Sequence, residues 1–217
     1  VPAVFANPEG GAVVGGTAAI DHATGVTTIR QSTDRAIINW RSFSNGASER
    51  IQFVQPGASS ATVNRVTGGD ASRIDGALDA NGHVFLLNPN GVIFGATSRV
   101  SVNGLTASTL DLNDAEFMSG SRRLTLRQVP GARLGAVVNK GQIRAGRGGV
   151  KLVAPVVNNE GTITATDGGS VRLGAGQEAE VSVGDDDLMT VKVRGGQAGD
   201  VHMPADAASD VLETVVN

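Results

Sequence analysis

The sequence predicts an all-β solenoid, a stack of short coils built from β-strands. The triplet Val-Val-Asn occurs at 137–139, 156–158 and 215–217, so its copies begin 19 residues apart and then 59 apart, close to three such steps. Glycine accounts for 30 of 217 residues, and aromatic residues make up only 3%. A repeat of about 20 residues is typical of stacked β-coils. Their narrow interior is filled by small aliphatic side chains rather than by rings.

The repeat is clearest between residues 137 and 176. Three pairs of residues align within it at spacings of 20 or 21: Gly141 with Gly161, Ile143 with Ile163, and Val150 with Val171. The one-residue difference is expected to lie in a turn, where insertions are tolerated. Each coil should therefore carry at least two strands and a polar turn. The asparagines of the first two triplets, Asn139 and Asn158, are expected to stack as a side-chain ladder.

Short runs with an apolar residue at every second position predict the individual strands. The apolar positions of these runs are Val100 and Val102, Leu124 and Leu126, Val150 and Leu152, Val171 and Leu173, Val181 and Val183, and Met189, Val191 and Val193. Glycine pairs at 148–149, 168–169 and 195–196 indicate turns between them. The only helix candidate is at 207–215, where apolar residues are spaced for one helical face.

The beginning of the chain has two interpretations. Val4-Phe5-Ala6 before Asn7-Pro8 fits the small-residue rule at a signal-peptidase site. Residues 1–6 are therefore either the remnant of a signal peptide or an ordinary strand start.

The remainder, residues 7–217, is expected to form a single domain. Residues from 7 to about 60 show no repeat, and the coils are expected at about 61–217. Because the open end of a coil stack exposes unpaired backbone groups, we expect the first segment to form a cap. The sequence stops at a triplet, where another coil should begin, so the chain is expected to be the front part of a longer stacked protein.

Composition excludes several classes of function. The net charge of −3 and the pI of about 5.6 argue against nucleic-acid binding, which usually needs a basic stripe. The absence of cysteine excludes disulfides, thiol catalysis and cysteine-ligated metals. No apolar run approaches the ~18 residues of a membrane-spanning helix.

A proline-containing turn is the most distinctive local motif. Asn88-Pro89-Asn90-Gly91 lies between two apolar runs, 84–87 and 92–94. Proline at the second position, asparagine at the third and glycine at the fourth suit a type I turn. The motif therefore predicts a rigid corner between two strands.

The motif and its surroundings resemble a known family. Asn88-Pro89-Asn90-Gly91-Val92 is similar to the Asn-Pro-Asn-Gly-Ile motif of the two-partner secretion domain, also called the haemagglutination activity domain. This domain stands at the front of filamentous haemagglutinin-like exoproteins of Gram-negative bacteria. Further blocks match at 36–43, 53–56, 64–68, 80–86 and 104–110. The similarity lies nearest to the branch of the high-molecular-weight adhesins and haem-acquisition exoproteins.

The resemblance implies a right-handed parallel β-helix with an amino-terminal cap and extra antiparallel strands. It also implies a domain that is not an enzyme, needs no cofactor or metal, and has no nucleic acid or small-molecule substrate. Its partner would be an outer-membrane β-barrel transporter that recognises it through periplasmic domains. The exoprotein would cross the barrel unfolded, fold outside as a monomer, and be secreted or remain at the cell surface.

Two interpretations of the motif residues stay open. In the first, an unfolded or partly folded segment adds a strand to the partner's periplasmic domain. In the second, the motif is a structural corner whose loss misfolds the domain. The candidates for partner recognition fall in two blocks: Asn88, Pro89, Asn90, Gly91 and Val92, and Asn39, Trp40 and Phe43.

Other functions have less support in the sequence. A β-helix carbohydrate-active enzyme would need carboxylates such as Asp185–Asp187, but three adjacent aspartates more often form a solvated turn. Gly174–Ala179 fits a dinucleotide-binding pattern, yet a strand-like run follows instead of the required helix. Gly195–Asp200 matches a calcium-binding repeat only in part. The three histidines show no ligand spacing and are interpreted as isolated: His22, His83 and His202. A direct adhesin module is the remaining alternative.

Overall fold

The computed structural model describes residues 7–183 and 189–192. The segments 1–6 and 207–215 and the third triplet lie outside the described residues. The described part of the chain forms twenty strands and one short helix. In chain order they are β1 (Ala12–Gly15), β2 (Ala18–Ala23), β3 (Val26–Gln31), β4 (Arg35–Trp40), β5 (Arg50–Val54), β6 (Ala61–Val66), β7 (Ser72–Ile74), β8 (Ala77–Ala80), β9 (His83–Leu87), β10 (Val92–Phe94), β11 (Arg99–Ser108), β12 (Asp111–Leu112), α1 (Asp114–Met118), β13 (Arg123–Arg127), β14 (Ala136–Asn139), β15 (Gln142–Ala154), β16 (Val156–Asn159), β17 (Thr162–Ala165), β18 (Val171–Ala175), β19 (Glu178–Ser182) and β20 (Met189–Lys192).

Three faces of parallel strands surround one apolar interior, which confirms the predicted β-helix. Face A stacks β3, β5, β8, β11, β15 and β17. Face B stacks β4, β6, β9, β11, β15 and β18. Face C stacks β7, β10, β14 and β16. The long strands β11 and β15 pass from face A to face B, with an irregular register between Val102 and Gly104.

The interior is filled by rows of aliphatic side chains. Strand alternation sends every second residue inward, so Val100 is buried while Arg99 and Ser101 are exposed. Burying one such side chain stabilises the fold by roughly 1.5–3 kcal/mol. One row on face A takes the same register position on five successive coils: Ile51, Leu78, Val100, Ile143 and Ile163.

The registers confirm the predicted repeat and correct one detail. Ile143 pairs with Ile163, and Val150 pairs with Val171. The predicted stacking of Asn139 on Asn158 is wrong, because β14 and β16 pair at a spacing of 20 and bring Asn139 opposite Asn159. The Nδ2 of Asn139 donates to Oδ1 of Asn159 at 2.7 Å. An asparagine ladder is therefore present, but Asn139 stacks on Asn159, the residue that follows the second triplet.

The first part of the chain combines antiparallel and parallel pairing. There β1 and β2 pair antiparallel, with β4 and β3 respectively. The parallel ladder starts at Val26, which pairs with Arg50. Arg50 in turn pairs with Ala77, so these first coils are 24 and 27 residues long. Their unequal lengths hide the repeat that is visible later in the chain.

A long insertion carries the chain outside the solenoid. Arg99 and Gln142 are neighbours on face A, yet 43 residues separate them, against 20 between Gln142 and Thr162. The extra residues include β12, α1 and β13, and β13 pairs antiparallel with β12 and β19. β19 also pairs antiparallel with β20, which completes a four-stranded sheet. We call β12, β13, β19 and β20 the extrahelical sheet, and it matches the expected extra antiparallel strands.

The extrahelical sheet covers the outer side of face B. A second apolar core fills the space between them, with Ile37 and Phe85 from face B and Leu124 and Val181 from the sheet. Arg65 of β6 anchors the insertion, because its Nε lies 2.8 Å from Oδ1 of Asp111 and its Nη2 lies 2.6 Å from Oδ1 of Asp114. Strands β4, β6 and β9 of face B are therefore largely buried on both sides.

Helix α1 was not predicted. It is only five residues long, too short to cross a membrane, and the described residues contain no other helix. Asn113 caps it, because its Oδ1 accepts a hydrogen bond from the backbone N of Glu116 at 3.0 Å. The Asn-Asp-Ala-Glu run at 113–116 is the local signal that identifies such a helix start.

Candidate functional site

The Asn-Pro-Asn-Gly motif forms the predicted tight turn between β9 and β10. The backbone N of Gly91 donates to O of Asn88 at 3.0 Å, which closes the turn around Pro89 and Asn90. Oδ1 of Asn88 also accepts from the backbone N of Asn90 at 2.9 Å. Gly91 has a φ of 121°, a conformation that only glycine adopts without strain. These residues fix the direction in which the chain enters face C.

The side chain of Asn88 is used entirely inside the protein. It is 0% exposed. Its Nδ2 donates to O of Asp70 at 2.9 Å and to Oγ of Ser72 at 3.0 Å, both in the preceding coil. Its backbone N donates to O of Ser108 in the following coil at 2.9 Å. Asn88 therefore connects three successive coils, and in the folded domain it presents no surface to a partner.

The second block of motif residues packs at the front of the interior. Trp40 and Phe43 are both 0% exposed, and their rings meet edge to face with centroids 5.5 Å apart. The Nε1 of Trp40 donates to Oδ1 of Asn64 at 3.0 Å. Asn39 is half-buried on β4, where it pairs with Ala12 of the cap. This block joins the cap to the first coils.

The structure brings both blocks to the same edge of the solenoid. The corners that follow β4, β6 and β9 stack on one another. O of Trp40 accepts from the backbone N of Thr67 at 2.8 Å, and Nδ2 of Asn90 donates to O of Gly68 at 2.9 Å. Of the predicted residues, only Asn39, Pro89 and Asn90 keep some exposed surface; the other five are buried.

A cleft that sequence reasoning missed lies at the edge of face B where β4 and β9 begin, next to residues 122 and 183, which flank the extrahelical sheet. Its volume is about 480 Å³. We call it the basic cleft, since three arginines line it together with a histidine: Arg35, Arg122, Arg147 and His83. These residues are far apart in sequence, and only the coil register and the insertion bring them together. No pattern in the sequence marks them as a group.

His83, interpreted from the sequence as isolated, is a buried residue of this cleft. Its Nε2 lies 2.9 Å from Oγ1 of Thr106, and its ring stacks on Phe85 with centroids 4.7 Å apart. A Cβ at position 104 would lie 2.3 Å from Nδ1 of His83, so glycine is required there. Burial, together with the positive charges of Lys151 and Arg35, lowers the pKa of His83 to about 3.

The depressed pKa of His83 predicts acid sensitivity of the fold. In the unfolded chain the pKa of His83 is near 6.5. Between pH 6.5 and pH 3 the unfolded state therefore binds a proton at His83, whereas the folded state does not. The contribution of His83 to the free energy of unfolding is therefore fully present above about pH 6.5, and it is lost progressively as the pH falls toward 3. The loss from this residue is about 1.4 kcal/mol per pH unit, or about 2 kcal/mol at pH 5 relative to pH 7.5.

Urea unfolding at pH 7.5 and pH 5 checks this expectation. The variant His83→Gln should lose most of the pH dependence, whatever its absolute stability. The exposed His22 is the matched control, and His22→Gln should keep the dependence of the unaltered protein. Equal pH dependence in the two variants would contradict the assignment.

Several residues considered from the sequence show no site. No group of three or more histidine and acidic side chains in residues 7–183 and 189–192 is placed to hold a metal ion. Gly174–Ala179 runs from β18 into β19 without a helix, which removes the nucleotide-binding geometry. Asp185–Asp187, Gly195–Asp200 and His202 lie outside the described residues.

Comparison with known proteins agrees with this geometry. The crystal structure of the HMW1 secretion domain from Haemophilus influenzae superposes with a TM-score of 0.80 at 38% identity, covering 87% of this chain and 50% of that one. The crystal structure of the filamentous hemagglutinin secretion domain gives a TM-score of 0.61 at 16% identity, covering 88% and 69%, and shows the same fold. A heme/hemopexin-binding protein of Haemophilus influenzae (strain ATCC 51907 / DSM 11121 / KW20 / Rd) is 38% identical over 185 residues.

The capped β-helix, the extrahelical sheet and the Asn-Pro-Asn-Gly corner define a secretion domain of the two-partner type. The chain belongs to the family described as TPS secretion domain, whose sequence model matches residues 5–217. It covers only 20% of the length of the heme/hemopexin-binding protein, although that match includes 83% of the chain. A second heme/hemopexin-binding protein of Haemophilus influenzae is 42% identical over 121 residues, covering 55% of the chain and 13% of that protein.

Proposed function

We propose that this chain directs a longer exoprotein to its outer-membrane β-barrel transporter, crosses that barrel unfolded, and starts β-helix folding outside the cell. The observation that carries the proposal is the 38% identity to a solved secretion domain over 87% of the chain. On this proposal the exoprotein passes through the periplasm and is secreted or held at the cell surface. The domain itself acts as a monomer and has no catalytic activity. Adhesion or haem capture belongs to the parts of the exoprotein that follow it.

The physical chemistry of the chain supports passage through a narrow barrel. No cysteine is present, so no cross-link hinders an extended chain. In a solenoid each coil contacts mainly its neighbours, so coils can fold one after another as they emerge. A stability of roughly 5–15 kcal/mol for the folded domain makes return through the barrel unfavourable without nucleotide hydrolysis. Variants with destabilised coils should therefore be exported more slowly.

The burial of the motif residues suggests when recognition takes place. Asn88, Trp40 and Phe43 have no exposed surface in the folded domain. We propose that the transporter's periplasmic domains bind these blocks while the chain is unfolded or partly folded, by strand addition. Asn39, Pro89 and Asn90 remain the candidates for contact with the folded form.

Binding to the transporter tests the proposal. The periplasmic part of a barrel encoded beside the gene should capture the purified domain in a pull-down, and capture should be stronger for chain freshly diluted from urea than for folded domain. Failure to bind in either state, with export unaffected by removal of that barrel, would overturn the proposal. Turnover of a polysaccharide panel would favour a carbohydrate-active enzyme, and glycan binding by the folded domain would favour a direct adhesin.

A further inference from the structure

We propose that the extrahelical sheet acts as a clamp that joins the first coil of the solenoid to its last described coil, so that the two open together. In an ordinary solenoid each coil contacts only its neighbours, and the two ends can therefore open separately. Here face B has six strands, with β4 at the front and β18 at the back. The proposal concerns the cohesion of the folded domain and does not depend on transporter recognition.

The front end of the clamp is attached to the first coil through β4. Nη2 of Arg35 donates to O of Ser121 at 2.9 Å, and Nη1 of Arg35 donates to O of Phe117. Cζ of Arg35 also lies 5.0 Å from the centre of the Phe117 ring. Two residues further along β4, the side chain of Ile37 is 1% exposed and belongs to the second apolar core. These contacts hold the segment between α1 and β13 against the front of the stack.

The back end of the clamp is β19, which directly follows the last described coil. Residues 178–182 of β19 pair antiparallel with residues 123–127 of β13. Just beyond this ladder, the backbone N of Val183 donates to O of Arg122 at 2.7 Å. Only residues 176 and 177 separate β19 from β18. A displacement of β13 is therefore transmitted through β19 to the last described coil.

The second apolar core connects the two ends along face B. It takes side chains from four of the six strands, among them Ile37 of β4, Val63 of β6, Phe85 of β9 and Val153 of β15. From the extrahelical sheet it takes Leu124 and Val181, both 0% exposed. If β19 opened, the apolar surface that it covers would return to water, and that exposure is costly in proportion to its area. The first and last coils therefore share the free energy of one core.

The clamp also sets an order of events in a chain that folds from its front end. β19 follows all the strands of face B in the sequence. Until β19 is available, β13 has only the two residues of β12 to pair with, and the outer apolar side of β4, β6 and β9 is incompletely covered. Coils can form one after another, but the first coil is locked only when residues 178–183 arrive.

Hydrogen exchange of the variant Val181→Ala tests the proposal. Because Val181 is fully buried in the second core, its truncation should raise the opening equilibrium of β19 by about tenfold or more. If β19 and β4 open together, the amides of β4 should exchange faster by the same factor. Faster exchange in β19 with unchanged exchange in β4 would overturn the proposal, because the sheet would then open alone.

Val137→Ala is the matched control. Val137 is also 0% exposed, but it lies on β14 of face C and belongs to the inner core. Its truncation should accelerate exchange in β10, β14 and β16, and it should change exchange in β4 by less than about twofold. Equal acceleration of β4 in the two variants would show that the stack of coils carries the coupling, and the clamp would be wrong.

The unaltered protein provides a second measurement that holds even if Val181→Ala does not fold. At urea concentrations below the unfolding midpoint, amides of β4 and β19 should approach one common dependence of exchange on urea, as members of one cooperative unit do. If β19 opens at a lower free energy than β4 at every urea concentration, the two do not form one unit and the proposal fails.

Discussion

Replacing Phe117 with alanine is expected to lower the free energy of unfolding by about 4 kcal/mol. Phe117 is 0% exposed, and its ring lies 5.7 Å from that of Phe85 in an edge-to-face contact. Arg35 packs over the same ring. Because a helix of five residues does not hold its shape alone, the ring anchors α1 to face B. Its loss leaves a cavity and frees the segment between β12 and β13.

Urea unfolding combined with hydrogen exchange checks this prediction. Amides of β13 should exchange faster in Phe117→Ala, while amides of face A should change less. Met118 is the matched control, because it is the next residue of α1 but is 38% exposed. Met118→Ala should cost within about 1 kcal/mol. Equal losses in the two variants would show that Phe117 does not anchor the extrahelical sheet.

Replacing Asn88 with alanine is expected to cost about 3 kcal/mol of stability. The substitution leaves the carbonyl of Asp70, the hydroxyl of Ser72 and the backbone N of Asn90 without the partners that they have now. Asn88 is fully buried, so water replaces these bonds only if the corner opens. Because three coils meet there, the loss should spread along the stack and reduce export.

Thermal unfolding and transporter binding should be measured together for this variant. Asn158→Ala is the control, since Asn158 is half-buried and its Nδ2 donates to the exposed Glu160, at 2.6 Å. That variant should stay within about 0.5 kcal/mol. A lower melting temperature for Asn88→Ala would support a structural role for Asn88 at the corner between β9 and β10. An unchanged melting temperature with lost binding would instead make Asn88 a direct contact.

Local sequence patterns predicted the regular part of the fold well. The alternation around Val100 and the match of Ile143 to Ile163 follow directly from strand geometry and from a constant coil length. The turn at Asn88 was equally predictable, because proline and glycine restrict the backbone wherever they occur. The role of Asn88 in joining three coils could not be predicted, because Asp70 and Ser108 contact it only when the coils stack.

Local sequence patterns did not predict the irregular parts of the fold. No repeat is visible before residue 60, because the first coils, of 24 and 27 residues, share no period with the later ones. The Asn139 ladder was displaced by one residue, because the triplet spacing of 19 differs from the strand register of 20. Helix α1 was overlooked although Asn113 and Glu116 supply a capping signal.

Residues that are close in the chain were enough to predict the class of fold, the length of the regular coils and the family. The identity of the side chains that meet across coils became visible only in the folded chain. Folding buried Asn88, Trp40 and Phe43, closed a second core under the extrahelical sheet, and gathered three arginines around His83. Packing between distant segments determines burial and local potential, and no pattern within one segment contains that information.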